Sequence, residues 1–217
     1  MIKAINIRKS YGNLEVLKGI TLEIAKSEIV AITGASGAGK TTLLQIMSGL
    51  EKPDNGDVYV NGNNIFKFSP RSMAKFRNSQ TGFIFQFHYL LPEFSVLENV
   101  MLPSLIGGTS KKNATEKARE LLSFFGLSDR EEHRPSEISG GESQRVAVAR
   151  AMINNPSVIF ADEPSGNLDT ANAEQLHKLF FTLRERYGQT FVIVTHNEHL
   201  AEMSDRKIIM KDGTVKE

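Results

Sequence analysis

The chain has 217 residues, enough for one large domain or two small ones, and its 40% hydrophobic content is sufficient for a sizeable core. Its 26 basic and 25 acidic residues leave a formal charge of +1, so no nucleic-acid partner is expected. The absence of cysteine excludes a disulfide framework and a thiolate metal site. No segment has the apolar length of a signal peptide or a bilayer-spanning helix, so any membrane role is expected to depend on another chain.

The opening third of the sequence has β-strand patterns. The segment "ITLEI" (20–24) alternates apolar and polar residues, and "VYVNGNNIF" (58–66) carries a turn signal between two β-rich pieces. Both patterns favour an antiparallel section. Four short apolar runs are instead typical of strands buried on both faces of a parallel sheet: "EIVAIT" (28–33), "GFIF" (82–85), "VIFA" (158–161) and "FVIVT" (191–195).

The long segment between the second and third of these runs is mostly helical in pattern. Within it, "NATEKARELLSFFGL" (113–127) places apolar residues at helical spacing and ends at Gly126, a suitable C-terminal stop. The sequence therefore predicts an α/β core that carries a helical insertion.

The glycine-rich segment "GASGAGKTT" (34–42) fits the pattern G-x-x-x-x-G-K-[ST], and it lies between a predicted strand and a predicted helix. Glycines allow positive φ and remove Cβ atoms, so that backbone N–H groups can converge on phosphate oxygens at a helix N-terminus. Lys40 is expected to neutralise the β and γ phosphates and the Thr41 hydroxyl to ligate Mg²⁺. Kinases, GTPases, motor ATPases and transporters share this loop, so it predicts a nucleotide ligand without defining the activity.

Polar residues follow the other buried strands, at the edge where α/β sheets bind ligands. Asp162 and Glu163 end the run "VIFADE"; Asp162 is the expected Mg²⁺ ligand, and Glu163 is expected to orient and deprotonate the attacking water. His196 ends "FVIVTH" and is expected near the γ phosphate. Gln86 ends "GFIFQ" and completes this set of residues.

A second anion site is indicated by "ISGGESQRVAVARAM" (138–152). Ser139 and Glu142 form a capping box at the start of a helix, and Gly140 and Gly141 expose backbone N–H groups beside its positive end. One chain with one phosphate loop thus carries two half-sites for anions. The economical explanation is that each half-site meets its counterpart across a twofold-symmetric pair of chains.

Taken in order, "GASGAGKT", Gln86, "ISGGE", "VIFADE", "GNLD" and His196 resemble the Walker A, Q-loop, signature, Walker B, D-loop and H-loop motifs of an ABC-type ATPase. The resemblance covers essentially the whole chain and implies a single ABC ATPase domain with a mostly parallel RecA-like core. It further implies an N-terminal β section and core at 1–86, a helical subdomain at 87–153 and the rest of the core at 154–217. Two departures are Ile138, where leucine is usual, and Ser143, where close relatives often have arginine.

The resemblance also implies the residues of the site. Lys40, Gln86, Glu163 and His196 are expected to be catalytic, Thr41, Gln86 and Asp162 are expected to bind Mg²⁺, and Tyr11 is expected to stack on adenine. The expected ATP contacts are Tyr11, Gly34, Ala35, Ser36, Gly37, Ala38, Gly39, Lys40, Thr41, Thr42, Ser139, Gly140, Gly141, Glu142 and Asp169.

Within that family, "FQFHYLLPEFSVLENVMLP" (85–103) and "HRPSEISGGE" (133–142) are similar to the group of LolD, MacB and FtsE, most of all to its lipoprotein-releasing branch. This implies an ATPase that works on the cytoplasmic face of the bacterial inner membrane with LolC/LolE-like membrane subunits. A MacB-like efflux ATPase and an FtsE-like signalling module remain alternatives, and a small-molecule kinase leaves the signature unexplained. The aromatic residues after Gln86 either pack the helical insertion or contact a membrane subunit.

Overall fold

The computed structural model describes residues 1–216. In chain order the strands are β1 (Ile2–Tyr11), β2 (Leu14–Ile24), β3 (Ile29–Gly34), β4 (Asn55–Val60), β5 (Asn63–Asn64), β6 (Thr81–Phe85), β7 (Val158–Asp162), β8 (Thr190–Val194), β9 (Arg206–Lys211) and β10 (Thr214–Lys216). The α-helices are α1 (Lys40–Met47), α2 (Pro70–Gln80), α3 (Val96–Ile106), α4 (Lys111–Phe124), α5 (Gly140–Met152), α6 (Thr170–Tyr187) and α7 (Glu198–Met203).

The chain divides into two compact units. The first unit contains residues 1–77 and the C-terminal segment that starts at Phe181, and the second contains residues 78–180. Helices α2 and α6 each include one of these boundaries. Among residues 1–216, none of the helices combines the length and the apolarity that crossing a bilayer requires.

The first unit contains the predicted antiparallel section. Its strands lie in the order β2-β1-β4-β5, and Ile2 of β1 lies opposite Ile24 of β2 and Val60 of β4. Ile2 and Ala4 of β1 are buried while Lys3 between them is exposed, as the pleat of a sheet with one covered face requires. The second half of the predicted hairpin is short, because β5 spans two residues before a 3₁₀ turn.

The parallel strands of the first unit centre on β3. This strand pairs in parallel with β8 on one side and with β9 on the other, and β10 extends the sheet as the antiparallel partner of β9. The residues at 29–32 and 190–194 are fully buried, which confirms the prediction from the apolar runs.

The second unit combines a parallel strand pair with helices. Strands β6 and β7 pair in parallel, so that Phe85 lies opposite Asp162. Helix α4 buries Ala118 and Leu122 on one face and ends where Gly126 takes a φ of 67°, as the sequence predicted. The helical insertion is therefore confirmed.

Candidate functional site

The glycine-rich loop in the first unit connects β3 to α1. Gly34 has a φ of 141°, and a Cβ atom there would press against the carbonyl oxygen of Met210 on the neighbouring strand. Gly39 has a φ of 93°, and a Cβ there would lie 2.7 Å from Cδ2 of Leu17. Because both positions combine left-handed backbone with a close neighbour, glycine is the only residue that fits them without a shift of the surroundings.

The loop leaves the start of α1 without a side-chain cap. Gly39 is the N-cap residue, and it makes no side-chain cap hydrogen bond. The Lys40 ammonium donates to the carbonyl oxygens of Gly34, at 2.8 Å, and Ala35, at 3.0 Å. A positive helix end and a lysine therefore occupy the same loop, which is the arrangement that binds phosphate groups.

His196 lies at the same end of the first unit's parallel strands as this loop. The register places Val194 of β8 beside Ile32 of β3, so the two strands reach His196 and Gly34 two residues later. The structure thus brings the predicted phosphate loop and the predicted histidine to one edge of the sheet, where α/β proteins bind ligands.

Tyr11 ends β1, and its side chain is half exposed. The Lys9 ammonium lies 5.3 Å from the centroid of the Tyr11 ring. The hydrogen bond from Lys9 to Glu51 raises the pKa of the lysine, so the cation beside the ring is permanent at neutral pH. Tyr11 keeps the exposure that stacking on a base requires.

The two predicted carboxylates of the second unit lie at the end of β7. Asp162 is its last residue and Glu163 follows it. Glu163 has a φ of 47°, a conformation that costs a residue other than glycine roughly 1–3 kcal/mol and that persists where function or packing requires it. Gly166 N–H donates to the Glu163 carbonyl oxygen at 3.0 Å and closes the turn.

Gln86 follows β6 and forms a reciprocal pair with Asn167. The Gln86 amide nitrogen donates to Oδ1 of Asn167 at 3.0 Å, and the Asn167 amide nitrogen donates to the Gln86 carbonyl oxygen at 3.1 Å. Gly166 leaves room for this pair, because a Cβ there would lie 2.8 Å from Nε2 of Gln86. The segments after β6 and β7 are therefore bonded to each other, through a residue, Asn167, that sequence reasoning did not single out.

The capping box predicted at the start of α5 is present. The Ser139 hydroxyl accepts from the Glu142 N–H at 3.2 Å, and the Glu142 carboxylate accepts from the Ser139 N–H at 2.8 Å. Arg130 donates to the same carboxylate at 3.0 Å. These bonds, first those from Ser139 and then that from Arg130, lower the pKa of Glu142. The carboxylate is ionised at neutral pH and complements the positive helix end.

The start of α5 is packed against the first residues of α6. A Cβ on Gly141 would collide with the amide of Asn172, so glycine sets the distance between the two helices. Asp169 accepts from the backbone N–H of Asn172 at 2.9 Å and from its side-chain amide at 2.7 Å, and both bonds lower the pKa of Asp169. The predicted residues Gly141 and Asp169 are therefore joined through Asn172, which the sequence analysis did not predict.

The last turn of α5 reaches the segment after Gln86. Arg150 donates to the carbonyl oxygens of His88 and Tyr89, both at 2.6 Å. His88 and Tyr89 have φ values of 55° and 46°, so the backbone is held in a left-handed turn that presents its carbonyl groups to the guanidinium. This turn displays an aromatic and aliphatic surface, which consists of the exposed side chains Phe87, Tyr89, Leu91 and Phe94.

Comparison with known proteins accounts for this arrangement. A family model described as ABC transporter matches residues 17–166, which include the glycine-rich loop, Gln86, the capped start of α5, and both carboxylates. The chain belongs to the ABC transporter family. It is an ABC-type ATPase, as the order of its motifs indicated.

Proteins named "Lipoprotein-releasing system ATP-binding protein LolD" are similar to this ABC ATPase over its whole length. The protein from Bacteroides thetaiotaomicron is 61% identical over 216 residues, which cover 100% of this chain and 99% of the relative. The protein from Bacteroides fragilis is 58% identical over 215 residues, which cover 99% of this chain and 100% of the relative.

Solved structures confirm the fold. The dimeric post-hydrolysis state of the ATP-binding cassette MJ0796, bound to ADP and Pi, is similar to this chain with a TM-score of 0.91 and 37% identity. The alignment covers 100% of this chain and 97% of that cassette. The predicted class, an ABC ATPase with parallel strands, an antiparallel sheet and helices, is therefore correct.

Proposed function

We propose that this chain is the ATP-hydrolysing subunit of a transporter that releases lipoproteins from the bacterial inner membrane. The proposed cargo rests on one observation, the full-length sequence identity of 61% and 58% to relatives named for lipoprotein release. Sequence identity this high over the entire chain extends beyond the nucleotide-binding motifs that all ABC ATPases share.

The residues of the glycine-rich loop are the proposed triphosphate site. The uncapped N-terminus of α1, the glycines that leave no Cβ in the way and the ammonium of Lys40 suit the γ and β phosphates of ATP. Thr41, Gln86 and Asp162 supply hydroxyl, amide and carboxylate oxygens, the ligands that Mg²⁺ prefers. These residues would hold Mg²⁺, which would supply positive charge to neutralise the terminal phosphates. Tyr11 is the proposed adenine-stacking residue.

Glu163 is the proposed general base. Its carboxylate orients a water molecule for in-line attack on the γ phosphate and accepts its proton, while Lys40 stabilises the charge on the phosphoryl oxygens. His196 leaves the sheet at the same edge as the phosphate loop, which suits a hydrogen bond to the γ phosphate. Gln86 is proposed to link nucleotide state to the surface that follows it, because its amide already bonds to the loop after Glu163.

A second copy of the chain is proposed to complete the site. Ser139, Gly140, Gly141 and Glu142 form a helix start that is already capped, and Asp169 supports it through Asn172. In a twofold pair, this end of one copy faces the triphosphate held by the other, and ATP joins the two chains. The dimeric MJ0796 cassettes support this arrangement.

The membrane subunits are proposed to be LolC/LolE-like and to bind the aromatic and aliphatic surface after Gln86. Phe87 is 65% exposed and Tyr89 62%, values that are high for large apolar side chains held in a defined turn. This contact would place the protein on the cytoplasmic face of the inner membrane. The net charge of +1 gives no support to a nucleic-acid partner.

Reconstitution tests the proposed cargo. The chain is co-expressed with candidate LolC/LolE-like membrane subunits, the purified complex is placed in proteoliposomes loaded with a lipoprotein, and release is measured after ATP is added. We expect ATP-dependent release that Glu163→Gln abolishes. A complex that assembles and hydrolyses ATP but releases no lipoprotein would reject the cargo and favour a signalling or efflux role.

A further inference from the structure

The second unit contains a cavity that the ATPase site does not use. It has a volume of about 190 Å³ and lies among the end of α4, the first turns of α5 and the first turns of α6. Cavities of about 150 Å³ lined by apolar side chains take up benzene, so this one has room for a fused pair of rings. Its apolar wall includes Phe125, Leu176 and Leu179.

The cavity also has a polar wall whose hydrogen-bonding groups are unused. Gln144 lines it and is 1% exposed, and neither its amide oxygen nor its amide nitrogen has a hydrogen-bond partner. Nε of Arg145, the next residue on the wall, is buried and also has no partner. Buried amides and guanidinium groups in folded proteins nearly always have partners, so an unpaired amide beside an open cavity is available to hydrogen-bond a ligand.

We propose that this cavity binds a small planar aromatic lactam or carboxamide. Such a group carries an N–H donor and a carbonyl acceptor side by side, which matches the oxygen acceptor and nitrogen donor of the Gln144 amide. The N–H of Arg145 adds a second donor for the carbonyl oxygen of the ligand, and the rings of the ligand contact Phe125 and the two leucines. An apolar body with one precisely oriented polar edge is the usual form of a small-molecule site.

Occupancy of the cavity has a consequence for the proposed dimer. Gly141 and Asn172 line the same cavity, and their contact sets the distance between the capped start of α5 and the start of α6. A ligand wedged below that contact moves the two segments that are proposed to reach the nucleotide of the other copy. This regulatory step depends on the proposed dimer, whereas the binding of the ligand does not.

The binding test uses quinolin-2-one as the probe, with N-methylquinolin-2-one as the matched ligand that lacks the N–H donor. Two-dimensional NMR of the full-length ¹⁵N-labelled chain follows the side-chain amide of Gln144 during titration. We expect quinolin-2-one to shift that signal and to bind about tenfold more tightly than its N-methyl analogue, because one buried hydrogen bond is lost. Equal affinities, or no shift at Gln144, would overturn the proposal.

Two substitutions of the same chemistry give a control within the site. Gln144→Leu removes the buried amide, and Gln175→Leu removes an exposed amide at the rim of the same cavity. We expect the first to weaken quinolin-2-one about tenfold more than it weakens the N-methyl analogue, which keeps only the carbonyl contact, and the second to change neither. Loss of affinity in both variants, or in neither, would contradict recognition by Gln144. If Gln144→Leu does not fold, the two-ligand comparison on the unmodified chain still decides.

The ATPase rate distinguishes binding of the ligand from the regulatory step. With saturating quinolin-2-one, we expect the ATPase rate of the unmodified chain to change at least twofold and that of Gln144→Leu to stay constant. Binding without any change in rate would overturn the regulatory step alone. A chain that hydrolyses no ATP before the probe is added would instead contradict the proposed function, so the two failures are distinguishable.

Discussion

Two glycine-rich helix starts in this molecule differ in how their backbone donors are satisfied. Helix α1 begins after Gly39, which has a left-handed φ and offers no side-chain cap. Helix α5 begins after Ser139, and a complete capping box with Glu142 closes its first turn. Both lie in motifs that are proposed to contact nucleotide, yet one helix end is open and the other is closed.

The difference indicates two separate tasks. An uncapped N-terminus gains most from an anion, because the anion satisfies the donors that no side chain satisfies. A capped N-terminus is stable without ligand and retains a positive field, so it is available as a preformed surface for a phosphate held elsewhere. We therefore infer that the α1 end binds ATP first and that the α5 end recognises it second.

The largest effect is expected at the open end. Lys40→Ala removes the cation from the α1 loop, and we expect ATP hydrolysis to fall by at least about 100-fold because the phosphoryl charge is no longer stabilised. Steady-state phosphate release measures this hydrolysis rate. Lys26→Ala, which removes an exposed lysine of the same unit, is the control and should leave the rate unchanged. Comparable rates in the two variants would remove the distinction between the helix ends.

The closed end allows a matched pair of cap substitutions. Ser95 caps α3 with Glu98 in the same capping-box geometry that Ser139 makes with Glu142. Ser139→Ala and Ser95→Ala should each lower the free energy of unfolding by about 1 kcal/mol, because each removes one cap. Only Ser139→Ala should also lower the ATPase rate, by roughly tenfold or more, through a lost phosphate contact.

Urea unfolding and phosphate release measure the two quantities for this pair. If Ser95→Ala slows hydrolysis as much as Ser139→Ala does, the cap itself matters and the phosphate contact does not.

A smaller effect is expected from a substitution at the C-terminal end of α5. Arg150→Lys keeps the charge but loses the planar group that donates to the His88 and Tyr89 carbonyls together, at a cost of about 1–2 kcal/mol. We expect the ATPase rate of the isolated chain to be nearly unchanged and its stimulation by membrane subunits to fall. Equal stimulation of Arg150→Lys and the unmodified chain would show that this turn does not transmit the nucleotide state.

The smallest effect is a pH dependence in the same turn. Burial lowers the pKa of His88, and the charge of Arg150 lowers it further. Below the ordinary histidine pKa of about 6.5, the unfolded chain takes up a proton that the folded chain does not, so stability falls as the pH falls. His88→Asn should therefore lose less stability than the unmodified chain between about pH 7.5 and about pH 5.5.

Urea unfolding at the two pH values measures this difference. Replacement of the exposed His199 by asparagine serves as the control for the removal of a histidine. An unchanged slope in His88→Asn would mean that His88 is protonated equally in both states.

The sequence predicted the parts of the molecule that depend on local pattern. The apolar runs of β3 and β8, the helix end at Gly126, and the capping box at Ser139 all follow from neighbouring residues, and the structure confirms them. The antiparallel strands β9 and β10 were not predicted, although their alternation and the Asp-Gly turn between them carry a hairpin signal.

Tertiary contacts account for what the sequence did not reveal. Asn167 contacts Gln86, which is 81 positions away, and Arg150 contacts Tyr89 and His88, which are 61 and 62 positions away. Asn172 lies against Gly141, 31 positions away. No local pattern in the sequence indicates such pairs. The unpaired amide of Gln144 is recognisable only once three helices surround it. The predicted domain boundaries and the roles assigned to the site residues stay predictions.

The most direct test of the central claim is the mass of Glu163→Gln in solution with Mg²⁺ and ATP. Loss of the general base should slow hydrolysis by about 100-fold or more, so that ATP stays bound and joins two copies. Sedimentation equilibrium should then give twice the monomer mass of 24.1 kDa with ATP, and the monomer mass without it. A variant that binds ATP and remains at 24.1 kDa, or that hydrolyses ATP at the normal rate, would contradict the central claim. That claim is a nucleotide site shared between the α1 end of one copy and the α5 end of the other.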